Sequence, residues 1–306
     1  MIYTVTFNPS IDYVMKVADF ATGGLNRAHA TYKFAGGKGI NVSRVLKTLN
    51  TDSTALGFIG GFPGAFIKNA LESAQIPTGF IEVEEDTRIN VKLKSGQETE
   101  INANGPAISE EAFQSLLSQI KQTSAEDTVV VAGSVPKSIP DDAYVQIAQI
   151  TKETGAKLVV DAEKHLVEAV LPYHPFFIKP NKDELEVMFN TQIKSDADVV
   201  RFGTEILAKG AHAVIVSLGG DGAIYIDDKH QIKAEVPTGE VINTVGSGDS
   251  TVAGMIAGLE NGMNVPEAFR NAVASGTATA FSDDLAGKAD IEAVREKIVL
   301  TDLEKE

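Results

Sequence analysis

Asn243-Thr244-Val245-Gly246-Ser247-Gly248-Asp249-Ser250-Thr251-Val252-Ala253-Gly254 is the stretch on which the reading of this chain turns. Gly246 and Gly248 let successive backbone N–H groups point one way. The helix expected to follow adds partial positive charge at its start. Such a turn suits an anion, including the charge that develops on a transferring phosphoryl group, and Asp249 could accept the proton of an attacking hydroxyl. The same residues also suit a glycine turn with Asp249 as a helix N-cap. A strand is expected to lead into Thr244. Better-known phosphate loops are missing: Gly-x-x-x-x-Gly-Lys-Ser/Thr occurs nowhere, since Lys38 is followed by Gly39. Thr251 stands where a dinucleotide fingerprint places its last glycine.

Outward from this stretch the chain alternates between short β-branched runs and helical periodicities. Strands are expected near Ile2–Phe7, Ser53–Ile59, Thr128–Val131, Lys157–Val160, Phe176–Ile178 and Ala213–Ser217. Helices are expected between them, and the tail from Asp249 to about Ile298 reads as helical and rich in alanine and glycine. This alternation predicts an α/β fold with a mostly parallel sheet covered on both faces. Two segments break the rhythm. Residues 11–34 alternate like half-solvated strands, and residues 87–102 read as a hairpin turning at Ser95-Gly96. Together they suggest a small inserted sheet placed as a lid; an ordinary edge hairpin fits the second segment as well.

Three further stretches can carry chemistry. Ala35-Gly36-Gly37-Lys38-Gly39-Ile40-Asn41 leads into a helix, with Gly36 and Gly37 permitting close approach, Lys38 a point charge and Asn41 a hydroxyl partner. Asn181 and Glu184 in Lys179-Pro180-Asn181-Lys182-Asp183-Glu184 lie one helical turn apart. They could order water around Mg²⁺, which keeps much of its hydration shell, or simply cap the next helix. Ser217-Leu218-Gly219-Gly220-Asp221-Gly222 could frame a nucleotide or form a hairpin turn. Asp12, after Asn8-Pro9-Ser10-Ile11, could bind sugar hydroxyls or form a turn.

Charge and composition exclude other classes. Forty-two acidic against 27 basic residues give a net charge of −15, which repels polyanions and argues against nucleic-acid or acidic-membrane binding. With no cysteine, thiolate metal sites, disulfides and thiol nucleophiles are excluded, and the five histidines show no metal-ligand spacing. Neither a signal peptide nor a membrane span is expected, so the chain reads as cytoplasmic.

Taken together, these stretches resemble the sugar-kinase family of the ribokinase/PfkB type, which includes ribokinase, adenosine kinase and ribokinase-like bacterial phosphofructokinases. The resemblance runs from Met1 nearly to Leu303 and rests on Ala35–Asn41 and Asn243–Ser250. It implies a three-layer α/β/α domain of residues 1–10, 35–86 and 103–306, and a β-sheet lid of residues 11–34 and 87–102. By resemblance Asp249 is the catalytic base, with Gly246, Ser247 and Gly248 as the anion hole. ATP would meet Lys179, Asn181, Ser217, Gly219, Gly222, Thr244, Gly246 and Gly248, with Asn271 and Ser275 near the adenine. Mg²⁺ would be tied to Asn181 and Glu184 through water. The acceptor would meet Asp12, Arg27, Gly36, Gly37, Lys38, Asn41, Arg88, Asn90 and Ser134.

Arg27, Lys38 and Arg88 offer cations for a phosphorylated acceptor, and arginine can grip phosphate bidentately. Arg88-Ile89-Asn90-Val91-Lys92 is similar to the bacterial 1-phosphofructokinase branch, which implies fructose 1-phosphate as acceptor. Tagatose 6-phosphate or fructose 6-phosphate are the alternatives within the family, and a sugar-phosphate sensor without turnover is the alternative outside it. A lid sheet with an exposed apolar face implies a homodimer through that sheet.

Overall fold

The computed structural model describes residues 1–303. The chain opens with β1 (Ile2–Thr6), β2 (Ser10–Lys16), β3 (Ala30–Gly36), α1 (Lys38–Thr48), β4 (Ser53–Ile59) and α2 (Gly61–Ser73). There follow β5 (Ile81–Glu82), β6 (Arg88–Ser95), β7 (Gln97–Ile101), α3 (Glu110–Ile120), β8 (Thr128–Ala132) and α4 (Ala143–Thr154). The middle comprises β9 (Lys157–Asp161), α5 (Lys164–Val170), β10 (Phe177–Ile178), α6 (Lys182–Phe189), α7 (Asp196–Ala208) and β11 (Val214–Ser217). The last part is β12 (Ala223–Ile226), β13 (Gln231–Glu235), α8 (Ser247–Glu260), α9 (Val265–Ala280), α10 (Lys288–Arg295) and β14 (Val299–Asp302).

Ten strands form one sheet in the order β14-β13-β12-β11-β10-β9-β8-β1-β4-β5. Its strands from β11 to β5 are parallel, and the β12, β13 and β14 edge is antiparallel. Helices cover both faces. Leu116 of α3, Ile147 of α4, Leu185 of α6 and Ile206 of α7 pack on one side; Val45 of α1, Val252 of α8, Phe269 of α9 and Ile291 of α10 pack on the other. The buried strands Val129–Val131 and Val214–Val216 are continuous β-branched runs, as strands covered on both faces require. From β1 the chain winds one way to β4 and β5, and β8 lies on β1's other side. The strand order therefore reverses at β1, which opens a crevice at the carboxyl ends of β1 and β8.

A second sheet, in the order β3-β2-β6-β7, stands apart from the first. On one of its faces Ile11, Ala35 and Ile89 pack with Ile67 and Leu71 of α2. On the other, Asp12 pairs across the strands with Asn90 and Phe34, and Lys92 with Val14 and Glu100.

Two expectations are corrected. No strand leads into Thr244: β13 ends at Glu235, and residues 236–246 run irregularly to α8. The tail is not one helical stretch. Gly262, in a left-handed conformation (φ 77°), follows α8, and α9 restarts with Asn264 as N-cap and a proline in its first turn. The chain then ends in β14, whose Val299–Asp302 extends the sheet against β13.

Candidate active site

The carboxyl ends of five parallel strands and the polar face of the small sheet enclose one cavity of about 1030 Å³. Thr6, Ser134, Asp161, Lys179 and Ser217 line it from the main sheet side; Asp12, Arg88, Asn90, Lys92 and Glu100 line it from the small sheet.

At its centre the start of α8 meets the start of α1. Gly246 is the N-cap of α8 in a left-handed conformation (φ 81°), and a Cβ there would lie 2.6 Å from Leu285 Cδ2, so only glycine fits without strain. Asp249 is therefore not the N-cap. It lies in the first turn of α8, 5% exposed, where its Oδ2 accepts a hydrogen bond from Asn41 Nδ2 at 2.8 Å. Burial, and next the charge of Asp161, push its pKa up to about 6 against the pull of Lys38, Asn41 and Lys179.

Asp161, the last residue of β9, is 2% exposed and ion-paired to Lys38 Nζ at 3.2 Å and Lys179 Nζ at 3.4 Å. Burial works against its ionisation, yet Lys179 and then Lys38 outweigh it and hold the carboxyl below its ordinary range. Burial likewise opposes the charge on Lys38, and Asp161 with Asp249 overcomes it, so the ammonium titrates above its usual range. The Lys179 ammonium also rests on the glycine loop: a Cβ on Gly248 would lie 3.1 Å from its Nζ. The buried Lys179 ammonium, the half-exposed Lys38 ammonium and the N–H groups of the Gly246–Gly248 turn thus converge on one place. The two ammonium groups stand beside the carboxylates of Asp161 and Asp249, and the turn's N–H groups add the partial positive charge of a helix start.

Asn181 caps α6, and with Glu184 it forms a capping box: Glu184 N donates to Asn181 Oδ1 (2.7 Å) and Asn181 N donates to Glu184 Oε2 (2.8 Å). The expected structural role is thus present, and both residues still line the cavity. No cluster of three or more acidic, histidine or cysteine side chains that could hold a metal exists among the described residues.

Most residues singled out from the sequence come together here: Asp12, Gly37, Lys38, Asn41, Arg88, Asn90, Ser134, Lys179, Asn181, Glu184, Ser217, Gly219, Gly222, Thr244 and Gly246 to Asp249. Four do not line the cavity. Arg27 is exposed on the loop between β2 and β3. Gly36 is buried beside Asp12, where a Cβ would lie 2.7 Å from the Asp12 carboxyl. Asn271 and Ser275 are on the face of α9 that packs on α8, where Asn271 Nδ2 donates to Gly254 O and Ser275 Oγ donates to Asn271 O, both at 2.8 Å. The α9 face turned to the cavity carries Val273, Gly276, Thr277 and Ala280. Sequence reasoning passed over Asp161, Lys92 and Glu100. Only the position of Asp161, closing a strand that reads as parallel, could have marked it.

The pfkB family carbohydrate kinase profile matches residues 5–288. A 1-phosphofructokinase of Bacillus subtilis (strain 168) is 46% identical over 303 residues, which cover 99% of this chain and 100% of that protein. A D-tagatose-1-phosphate kinase of Bacillus licheniformis is 38% identical over 304 residues, 99% of this chain and 100% of the relative. A Staphylococcus aureus crystal structure, provisionally described as a phosphofructokinase, superposes with a TM-score of 0.91 at 68% identity and 99% coverage of both chains. The chain belongs to the pfkB family of carbohydrate kinases, and it is an ATP-dependent sugar-phosphate kinase.

Burying the Asp249 carboxylate costs stability. With a folded pKa near 6 and an unfolded value near 3.8, the protonated form supplies stability at low pH that is lost as pH rises through 6. Asp249→Asn removes that loss. The variant is expected to be more stable than the parent to urea at pH 8, with the advantage smaller by about 1 kcal/mol at pH 5.5. Paired urea titrations at the two pH values check both the sign and the trend.

Proposed function

We propose that this chain is a 1-phosphofructokinase that transfers the γ-phosphoryl group of ATP to fructose 1-phosphate, giving fructose 1,6-bisphosphate and ADP. The observation that carries the proposal is the buried Asp249 carboxylate beside the Gly246–Gly248 turn, with Lys38 and Lys179 at hand. Full-length similarity to the Bacillus subtilis 1-phosphofructokinase supports the choice of acceptor.

In this reading Asp249 takes the proton from the acceptor hydroxyl as its oxygen attacks the γ-phosphorus. A pKa near 6 leaves the group ionised at neutral pH yet basic enough to assist. The N–H groups of Gly246 to Gly248 and the Lys179 ammonium meet the charge that builds on the phosphoryl oxygens. ATP would lie along Ser217–Gly222 and Thr244, with its base towards Val241, Val273 and Thr277, which line that end of the cavity.

Asn181 and Glu184 fit Mg²⁺ held through its waters, since each keeps acceptor capacity beyond the capping box and the ion needs few protein ligands. Bound with ATP, Mg²⁺ would neutralise phosphate charge. Asp12 and Asn90 would take the sugar hydroxyls. Arg88 would help hold the acceptor phosphate: its guanidinium lines the cavity, and its buried Nε has no hydrogen-bond partner. ATP and sugar phosphates are cytoplasmic metabolites, and the proposal places the enzyme there. No helix among the described residues is long and apolar enough to cross a membrane.

The small sheet serves in this proposal as a lid, and its exposed Tyr32 (46%) and Ile101 (60%) as part of a homodimer surface. A second reading, D-tagatose 1-phosphate as acceptor, is favoured by the full-length Bacillus licheniformis relative. Coupled ADP detection over fructose 1-phosphate, tagatose 1-phosphate, tagatose 6-phosphate and fructose 6-phosphate is expected to give the highest kcat/KM with fructose 1-phosphate. A higher value with any other sugar reassigns the acceptor. Sedimentation at micromolar concentration is expected to show a dimer, and a monomer there removes the dimer from the proposal.

A further inference from the structure

Lys92 lies near the middle of β6 with its side chain 8% exposed, yet its ammonium faces the active-site cavity. A buried ammonium survives only where charges or hydrogen bonds replace its water. Here two carboxylates from neighbouring strands do so: Asp12 Oδ2 at 3.4 Å from β2, and Glu100 Oε1 at 3.5 Å from β7. Both acids also line the cavity. Without the lysine, two negative charges would face each other across β6.

The rest of Asp12 is already fixed. Its Oδ1 accepts from Ser10 Oγ at 2.8 Å and Asn90 Nδ2 at 3.3 Å, so Lys92 is the partner left for Oδ2. The arrangement runs acid, base, acid across three strands on the cavity face. Its net charge is negative, so a phosphate placed against it is repelled, whereas a neutral hydroxyl can donate to a carboxylate and accept from the ammonium. Arg88, four residues earlier on the same face, differs in kind. Its terminal nitrogens donate to Asn8 O at 3.1 Å and Ala103 O at 3.3 Å, tying β6 to the turn after β1 and to the segment after β7.

We infer that Lys92 is a specificity-determining positioning residue of the acceptor site, holding Asp12 and Glu100 as a fixed wall that reads the ring hydroxyls of a ketohexose phosphate and turns its phosphate away. The inference rests on the sugar-phosphate kinase reading and deepens it. Fructose and tagatose 1-phosphates differ only in the orientation of one ring hydroxyl, so a wall that reads hydroxyl geometry separates them. A lysine that served folding alone would not.

The test is steady-state kinetics of Lys92→Met, Lys92→Arg and Glu100→Gln with both epimeric 1-phosphates, with thermal melts of each variant. For Lys92→Met the sugar-phosphate KM is expected to rise about 10- to 100-fold, the scale of one charge-assisted hydrogen bond. The preference between epimers should collapse towards unity, while the KM for ATP stays within about 2-fold of the parent. Lys92→Arg should recover part of the sugar affinity, and Glu100→Gln should weaken the epimer preference with a smaller change in KM. An unchanged epimer ratio in the Met and Gln variants overturns the inference, as does a loss shared equally by sugar and ATP. If Lys92→Met does not fold, the Arg and Gln variants decide by the same ratio. Should the parent enzyme prefer another acceptor, the 1-phosphofructokinase reading falls, and Lys92 is judged on that acceptor and its epimer.

Discussion

The Asp161 carboxylate is buried at the end of β9, and the active site is built around the need to keep it charged. An isolated carboxylate at that depth would take up a proton. Lys38 from the start of α1 and Lys179 from the end of β10 prevent this, and each is thereby drawn into the cavity. The same negative charge helps to raise the pKa of Asp249, while the two ammonium groups keep it from rising further. One buried anion thus positions two cations at the cavity and tunes the neighbouring Asp249, the base of the proposed reaction. Removing it would leave the Lys179 ammonium buried with poorer compensation, a cost that buried pairs broken on one side typically incur.

The glycine turn is the second constraint. Its N–H groups can face a phosphate only if Gly246 holds a left-handed backbone under Leu285, and only if nothing grows from Gly248 into Lys179. Position and charge are therefore set by the backbone and by buried pairs, and little of the site depends on long exposed side chains. This suits a protein of net charge −15 that must nonetheless collect two phosphorylated substrates. A net negative charge repels them at long range, and the cations at the cavity work against that repulsion.

Much of this was legible in the sequence for physical reasons. Thr128–Val131 and Ala213–Ser217 read as strands from their β-branched runs, since strands covered on both sides lose their alternation. The turns at Gly36-Gly37 and Gly246–Gly248 stood out because glycine permits what other residues resist. What stayed hidden was direction. Asn271 and Ser275 lie on the correct helix, yet they pack on Gly254, and Val273 and Thr277 turn to the cavity instead. A helical residue's face depends on which neighbour packs against it, and the sequence does not name that neighbour. Lys92 and Glu100 stayed hidden for the same reason: a hairpin over residues 87–102 does not say what faces either side of it, and only the fold sets a cavity there. The strand β14 has no periodicity of its own and is defined by its pairing with β13.

The central claim is that Asp249 is the base, poised by burial and by Asp161. The most direct measurement is kcat/KM for the sugar phosphate as a function of pH, in the parent and in Asp249→Asn. The account predicts a parent profile that rises with pH through an apparent pKa of about 6 and is flat above it. It also predicts a variant slower by about 10²–10⁴-fold in which that limb is gone. A parent profile flat through that range, or a variant that keeps both the limb and the rate, would contradict it.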